Sequence, residues 1–122
     1  MKTELLPADS PESIARALEI LRLGGLVAFP TDTVYGVGCL AFNSAAADSI
    51  YIAKDRPSEK AIPVLLGTVD DLARVALEVT PAAARLAARY WPGPLTLVLP
   101  KHPDIPASVS ASGTVGVRIP DH

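Results

Sequence analysis

The distribution of prolines and glycines sets the length of every regular element this chain can form. Twelve prolines and eight glycines occur in 122 residues, and the prolines cluster at the ends of segments with helical or strand-like patterns. Proline lacks an N–H and fixes φ, so it is rarely accommodated inside a helix or a central strand. We therefore predict short helices and strands separated by turns.

Helical patterns occupy three main segments. Ser10 and Pro11 provide a cap and a first helical residue, and apolar residues then recur every three or four positions until Gly24. A second helix begins after Asn43, and Thr80 opens a third. The predicted helices are 10–23, 43–54 and 80–90, with a short one starting near residue 68.

Strand patterns lie between these helices, as short apolar runs bounded by glycine or proline. Pro63 indicates that its strand lies at a sheet edge or begins there. The predicted strands are 26–29, 34–42, 62–66, 95–99 and 115–119. Because helices and strands intermix, we expect the α/β (α+β) class, with a twisted mixed sheet and flanking helices in a single domain of residues 1–122. The chain stops directly after a strand without a closing helix, so we expect the domain to be incomplete at its C-terminal end.

Composition excludes several classes of function. The net charge is −2 and charged residues make up 20%, so there is no polyelectrolyte character to favour nucleic acid as the main partner. Residues 1–13 contain no long apolar segment of the kind found in secretory leaders, and the sequence has no apolar run of about 18 residues, so we predict a cytoplasmic chain without membrane association. Cys39 lies in an apolar stretch and is predicted to be a buried structural thiol. His102 and His122 show no ligand spacing, so no metal site is expected from protein side chains.

The first candidate site is the polar loop Thr31-Asp32-Thr33, with Tyr35 just beyond it. Ligands commonly bind in the crevice at strand ends, where hydroxyl groups can orient a small polar substrate. The alternative is that these side chains bond the backbone of their own turn. The residue pattern leaves both open.

The second candidate comprises Lys54, Arg56 and Lys60, three cations at a predicted helix end. Several converging donors are needed to hold a triphosphate, and arginine and lysine supply them. The alternative is ordinary positive charge that complements the helix macrodipole.

The third candidate is Arg118, which lies inside an apolar strand pattern and follows Thr114. A buried arginine costs stability unless it is paired, and a substrate carboxylate is one suitable partner. An internal Asp or Glu partner, or an exposed position at a sheet edge, would explain the arginine equally well.

Two other features favour structural roles. Gly36-Val37-Gly38 with Ala41 matches the loose dinucleotide pattern, but the residues lie within a predicted strand rather than between a strand and a helix. Trp91 lies between a helix and Pro92, which favours a packing anchor over a ligand-stacking residue.

Four segments together resemble the Sua5/YrdC family, which also includes YciO. They occur in the family's order and cover nearly all of the chain from about Leu23. Residues 29–38 (FPTDTVYGVG) resemble P-T-[DE]-T-V-Y-G-[LV]-G, 54–57 (KDRP) resemble K-x-R-P, 91–96 (WPGPLT) resemble W-P-G-P-[LV]-T, and 117–122 (VRIPDH) resemble V-R-x-P-x-H.

The resemblance implies a YrdC-like fold around a wide, positively lined cavity. It implies a threonylcarbamoyl-AMP synthase, which condenses L-threonine, bicarbonate or CO2, and ATP with release of pyrophosphate; Mg2+ would share the phosphate charge. A downstream enzyme would then transfer the threonylcarbamoyl group to adenosine 37 of tRNA. By this analogy Lys54, Arg56, Lys60 and Thr114 would bind ATP. Thr31, Thr33, Tyr35 and Arg118 would bind threonine, and no side chain is assigned as a catalytic residue.

One departure from the family leaves the activity of the 122-residue chain open. Family members continue to a Ser-x-Asn loop that completes the nucleotide site, and this sequence ends before it. The alternatives are a non-catalytic module that binds nucleotide or double-stranded RNA, and a related domain that forms a carbamoyl-adenylate.

Overall fold

The computed structural model describes residues 3–55, 57 and 60–122. Helices and strands intermix along the chain, which confirms the predicted α/β (α+β) class. The helices are α1 (Pro11–Arg22), α2 (Ser44–Lys54), α3 (Leu72–Val75) and α4 (Pro81–Tyr90), with a 3-10 turn over Val69–Asp71 before α3. The strands are β1 (Val27–Phe29), β2 (Gly36–Gly38), β3 (Val64–Leu65), β4 (Leu97–Pro100) and β5 (Thr114–Arg118).

The described strands form two sheets. β1 and β2 form an antiparallel pair in which Phe29 lies opposite Gly36. The larger sheet has the order β3-β5-β4, with β5 parallel to β3 and antiparallel to β4. Val117 of β5 therefore pairs with Val64 on one side and with Leu97 on the other. This second sheet is the mixed sheet expected from the sequence.

The predicted strand 34–42 is wrong in length, because only Gly36–Gly38 is a strand. Its partner β1 begins at Val27, which pairs with Gly38, and the turn at Gly24 and Gly25 precedes β1. β2 therefore has no partner residues beyond Gly38, and an unpaired segment does not continue as a strand.

The predicted strand 62–66 is also shorter, covering only Val64–Leu65. Ile62 donates its N–H to the carbonyl of Val109 at 2.9 Å rather than to β5. Pro63 lacks an N–H and directly precedes this edge strand, as its position in the sequence predicted. The other predicted elements agree with the structure to within two residues at each end.

The core is a single cluster between the larger sheet and helices α2 to α4. Val115 and Val117 of β5 are 1% and 0% exposed, so the central strand is buried on the face that meets the helices. The cluster includes Ala47 of α2, Leu72 and Val75 of α3, Ala83 and Ala87 of α4, and Leu97 and Leu99 of β4. In contrast, α1 has no buried residue.

Trp91 and Cys39 both pack against this core. The Trp91 indole donates to the carbonyl of Leu95 at 2.8 Å, which confirms its predicted role as a packing anchor. Cys39 is half-buried rather than buried as predicted, and this partial burial raises the pKa of its thiol. In the described part of the chain, no helix has the length and apolar character needed to cross a membrane.

Candidate functional site

Arg118, the last residue of β5, is the centre of the candidate site. Its side chain is only 13% exposed, and it donates from all three of its nitrogens to described groups. Nε donates to the carbonyl of Gly93 at 2.8 Å, and Nη1 donates to Thr33 Oγ1 at 3.2 Å. Nη2 forms an ion pair with the carboxylate of Asp32, whose side chain is 16% exposed.

These contacts identify one of the partners considered for Arg118 and exclude an exposed edge position. An internal carboxylate partner exists, and it is Asp32. The exposed edge alternative is wrong, because β5 is flanked by β3 and β4 on both sides. Asp32 and Arg118 are 86 positions apart, so no local pattern could identify the pair.

The loop before β2 gives its two threonines different roles. Thr31 Oγ1 donates to the carbonyl of Val34 at 2.6 Å and accepts from the N–H groups of Thr33 and Val34, both at 3.3 Å. This is the self-bonding turn that was one of the two alternatives for the loop. Thr33 Oγ1 instead lies 3.2 Å from Thr31 Oγ1 and accepts from Arg118. Tyr35 is 77% exposed beside them.

Gly93 provides the third support for Arg118, and sequence reasoning did not single it out. A Cβ at this position would lie 2.6 Å from the carbonyl oxygen of Tyr90, so a larger residue would displace the turn. The Gly93 N–H donates to the carbonyl of Ile119 at 2.8 Å, which fixes the turn against the end of β5. The signal in the sequence was the W-P-G-P segment, but its carbonyl contact depends on the tertiary structure.

Thr114 begins β5 and therefore lies about 13 Å from Arg118 along the strand. Its hydroxyl is 3.1 Å from Ser112 Oγ, and Ser110 Oγ donates to the Thr114 carbonyl at 2.6 Å. Lys101 Nζ donates to the carbonyl of Ser110 at 2.7 Å. Thr114 thus belongs to a hydroxyl cluster separate from the Arg118 contacts. In the sequence, the signal for this cluster is the spacing of Ser108, Ser110 and Ser112 just before Thr114.

Of the three predicted phosphate-binding cations, the structure places two. Lys54 is exposed at the last position of α2, and Asp55 ends the helix with a left-handed φ of 50°. Lys60 is also exposed, and its backbone N–H donates to the carbonyl of Pro57 at 3.0 Å. Arg56 lies outside the described residues. The assignment of these cations to phosphate binding stays a prediction.

The glycines of β2 have a packing function. A Cβ on Gly38 would lie 2.8 Å from the Phe29 ring, so the ring leaves room only for glycine at position 38. These residues form a strand rather than a strand-to-helix turn, as the sequence indicated, and a dinucleotide fingerprint requires the latter.

A cavity of about 710 Å³ lies between α3, α4 and the end of β5. Its walls are mainly apolar, with Leu72, Ala87 and Ile119 among them, and none of the predicted site residues lines it. Among the described residues, no group of three or more His, Cys, Asp or Glu side chains could hold a metal ion.

Comparisons with known proteins agree with this architecture. The family model for Sua5, YciO and YrdC proteins, described as "Telomere recombination", matches residues 19–122. The threonylcarbamoyl-AMP synthase of Pyrococcus abyssi is 43% identical over 107 residues, covering 87% of this chain and 32% of that protein. The threonylcarbamoyl-AMP synthase of Bacillus subtilis is 41% identical over 122 residues, covering 98% of this chain and 35% of that protein.

A solved structure of a relative shows that the similarity extends to the fold. The crystal structure of P. abyssi Sua5 complexed with L-threonine superposes with a TM-score of 0.90 at 41% identity, covering 93% of this chain and 34% of that one. The chain therefore spans about a third of the length of these relatives.

Proposed function

Because this chain belongs to the Sua5/YciO/YrdC family, we propose that it acts in the synthesis of threonylcarbamoyl-AMP. The substrates are L-threonine, bicarbonate or CO2, and ATP, and the products are threonylcarbamoyl-AMP and pyrophosphate. The observation that carries the proposal is that three family-like segments meet at one guanidinium: Asp32 and Thr33 from the first, Gly93 from the third and Arg118 from the fourth.

Arg118 is proposed to bind the threonine carboxylate, with Thr33 as its neighbouring hydroxyl. A guanidinium carries five N–H groups in a fork that matches a carboxylate. Described acceptors take one N–H from each nitrogen of Arg118, so each terminal nitrogen retains one N–H without a described partner. Thr31 would hold the loop in place, and exposed Tyr35 would cover the bound amino acid.

ATP is proposed to bind through Lys54, Arg56, Lys60 and Thr114. A carbamate oxygen of the threonine adduct would attack the α-phosphorus, forming an O–P bond while the bond to the β-phosphate oxygen breaks and pyrophosphate leaves. Such a step needs alignment and charge neutralisation more than a protein nucleophile.

Mg2+ stays a prediction, because the described residues offer no cage of protein ligands for it. Such an ion would be held mainly by the substrate phosphates. Transfer of the product to tRNA in the cytoplasm by a downstream enzyme is likewise a proposal.

The test is calorimetric titration of the chain with ATP and Mg2+, with and without L-threonine. We expect threonine to strengthen ATP binding and pyrophosphate release to require threonine. Folded protein that binds neither ligand would refute the proposal for this chain. ATP binding with the same affinity in the presence and absence of L-threonine would support the alternative of a non-catalytic nucleotide-binding module.

Single substitutions test the residue roles in the same experiment. Lys54→Ala should weaken ATP binding by about ten-fold or more, because the substitution removes a charge-assisted contact. Arg118→Ala should weaken mainly the binding of L-threonine. Arg85→Ala, which removes an exposed cation from α4, is the matched control and should change neither affinity. An equal loss of both ligands in Arg118→Ala would contradict its assignment.

A further inference from the structure

Asp32 places a negative charge directly beside the guanidinium proposed to bind the substrate carboxylate. The two side chains are 16% and 13% exposed, so solvent screens them less than it would a surface pair. The pair as a whole is neutral. A ligand at this site therefore meets a positive and a negative group side by side rather than a simple cationic pocket.

This arrangement has opposite effects on two kinds of ligand. A simple carboxylate is attracted to Arg118 and repelled by Asp32, and the two effects largely cancel at similar distances. An α-amino acid carries a carboxylate and an ammonium one carbon apart. Its carboxylate can face Arg118 while its ammonium faces Asp32, so both interactions are favourable.

Both partners retain capacity to bind such a ligand. Each terminal nitrogen of Arg118 keeps one N–H without a described acceptor. The described contact of Asp32 uses only its Oδ1 atom. The second carboxylate oxygen of Asp32 has no described partner and can accept from an ammonium.

Neighbouring groups hold the two charges in register. The Gly93 carbonyl accepts a hydrogen bond from Nε of Arg118. The hydroxyl of Thr33, the residue after Asp32, accepts one from Nη1 of Arg118. The loop that carries Asp32 is itself closed by the Thr31 hydroxyl. Such preorganisation means that little side-chain freedom is lost when a ligand binds.

We propose that Asp32 is a specificity-determining residue that selects a protonated α-amino acid over a carboxylate without an amine. The inference rests on the proposed function, because it takes Arg118 as the carboxylate-binding group. Selection acts when the zwitterion first binds, before the amine becomes a carbamate.

The test compares L-threonine with 3-hydroxybutanoate, which is threonine without its amine, by calorimetry on the 122-residue chain. We expect the wild-type chain to prefer threonine by about ten-fold or more. In Asp32→Asn the preference should fall by at least about five-fold, because 3-hydroxybutanoate is no longer repelled and threonine loses its ammonium partner. Asp32→Glu keeps the charge and should retain most of the preference.

Glu78→Gln is the matched control, since it removes one exposed acid from a loop that contributes nothing to the Arg118 contacts. The Glu78→Gln chain should prefer L-threonine over 3-hydroxybutanoate to the same degree as the wild type. An unchanged preference in folded Asp32→Asn would overturn the inference while leaving the proposed function intact. Equal wild-type affinities for the two ligands would overturn it without any variant, and a folded wild-type chain that binds no threonine would refute both proposals.

Discussion

Arg118 is bonded to two segments that are distant from it in sequence. Its partners Asp32, Thr33 and Gly93 come from the loop before β2 and from the turn after α4. An exposed ion pair contributes little to stability, but a largely buried one leaves an unpaired charge when one partner is removed. Arg118 therefore stabilises the fold in addition to its proposed role in binding.

Replacing Arg118 by alanine should lower the free energy of unfolding by about 1–3 kcal/mol, because the Asp32 carboxylate and the Gly93 carbonyl lose their donor. Urea denaturation monitored by circular dichroism measures the change. Arg85→Ala should stay within about 0.5 kcal/mol of the wild type, since its side chain is on an exposed helix surface. Equal stability of the two variants would show that the Arg118 contacts add nothing to the fold.

The β1–β2 pair depends on the two glycines of β2 to different degrees. The Phe29 ring of β1 lies across both positions, but it approaches them unequally. A Cβ on Gly38 would lie 2.8 Å from the ring, whereas a Cβ on Gly36 would be 3.6 Å away, an ordinary contact. This pair of strands positions the loop that carries Asp32 and Thr33.

Gly38→Ala should therefore destabilise the chain by about 1–3 kcal/mol, because the added methyl group forces Phe29 to move. Gly36→Ala makes the same chemical change in the same strand, and its free energy of unfolding should stay within about 0.5 kcal/mol of the wild type. A glycine inside a strand has no conformational advantage over alanine. Thermal unfolding of both variants compares them directly. Similar losses in the two would contradict the role assigned to the Phe29 contact.

The molecule as a whole is held by one apolar cluster centred on β5. Val117 is fully buried between β3 and β4, while Val98 on β4 is 68% exposed. Burial of apolar area provides most of the favourable free energy of folding, so the two valines should contribute very differently.

Val117→Ala should lower the free energy of unfolding by about 2 kcal/mol, from lost apolar burial and the cavity that remains. Val98→Ala makes an identical change in the neighbouring strand and should cost less than about 1 kcal/mol. Chemical denaturation of both gives the comparison. A Val98 variant as unstable as the Val117 variant would mean that β4 is covered on its outer face.

Local signals predicted the helices well, because each depends on residues close together in the chain. Asn43 and Thr80 accept from the N–H groups of Ala46 and Ala83, as N-cap residues do. Ser10 precedes its helix as predicted, but its hydroxyl donates to Glu12 instead of capping the backbone. The proline and glycine positions likewise predicted where the elements end to within two residues for most of them.

Strand length and the partners of Arg118 could not be obtained in this way. β2 ends where β1 offers no further partner, and the Asp32–Arg118 pair joins residues 86 positions apart. Side-chain periodicity indicates which face of a strand is buried, but it does not state which strands pair or which loops meet at their ends. Those contacts arise only when the sheets and helices pack together, and they determine which charges surround the candidate site.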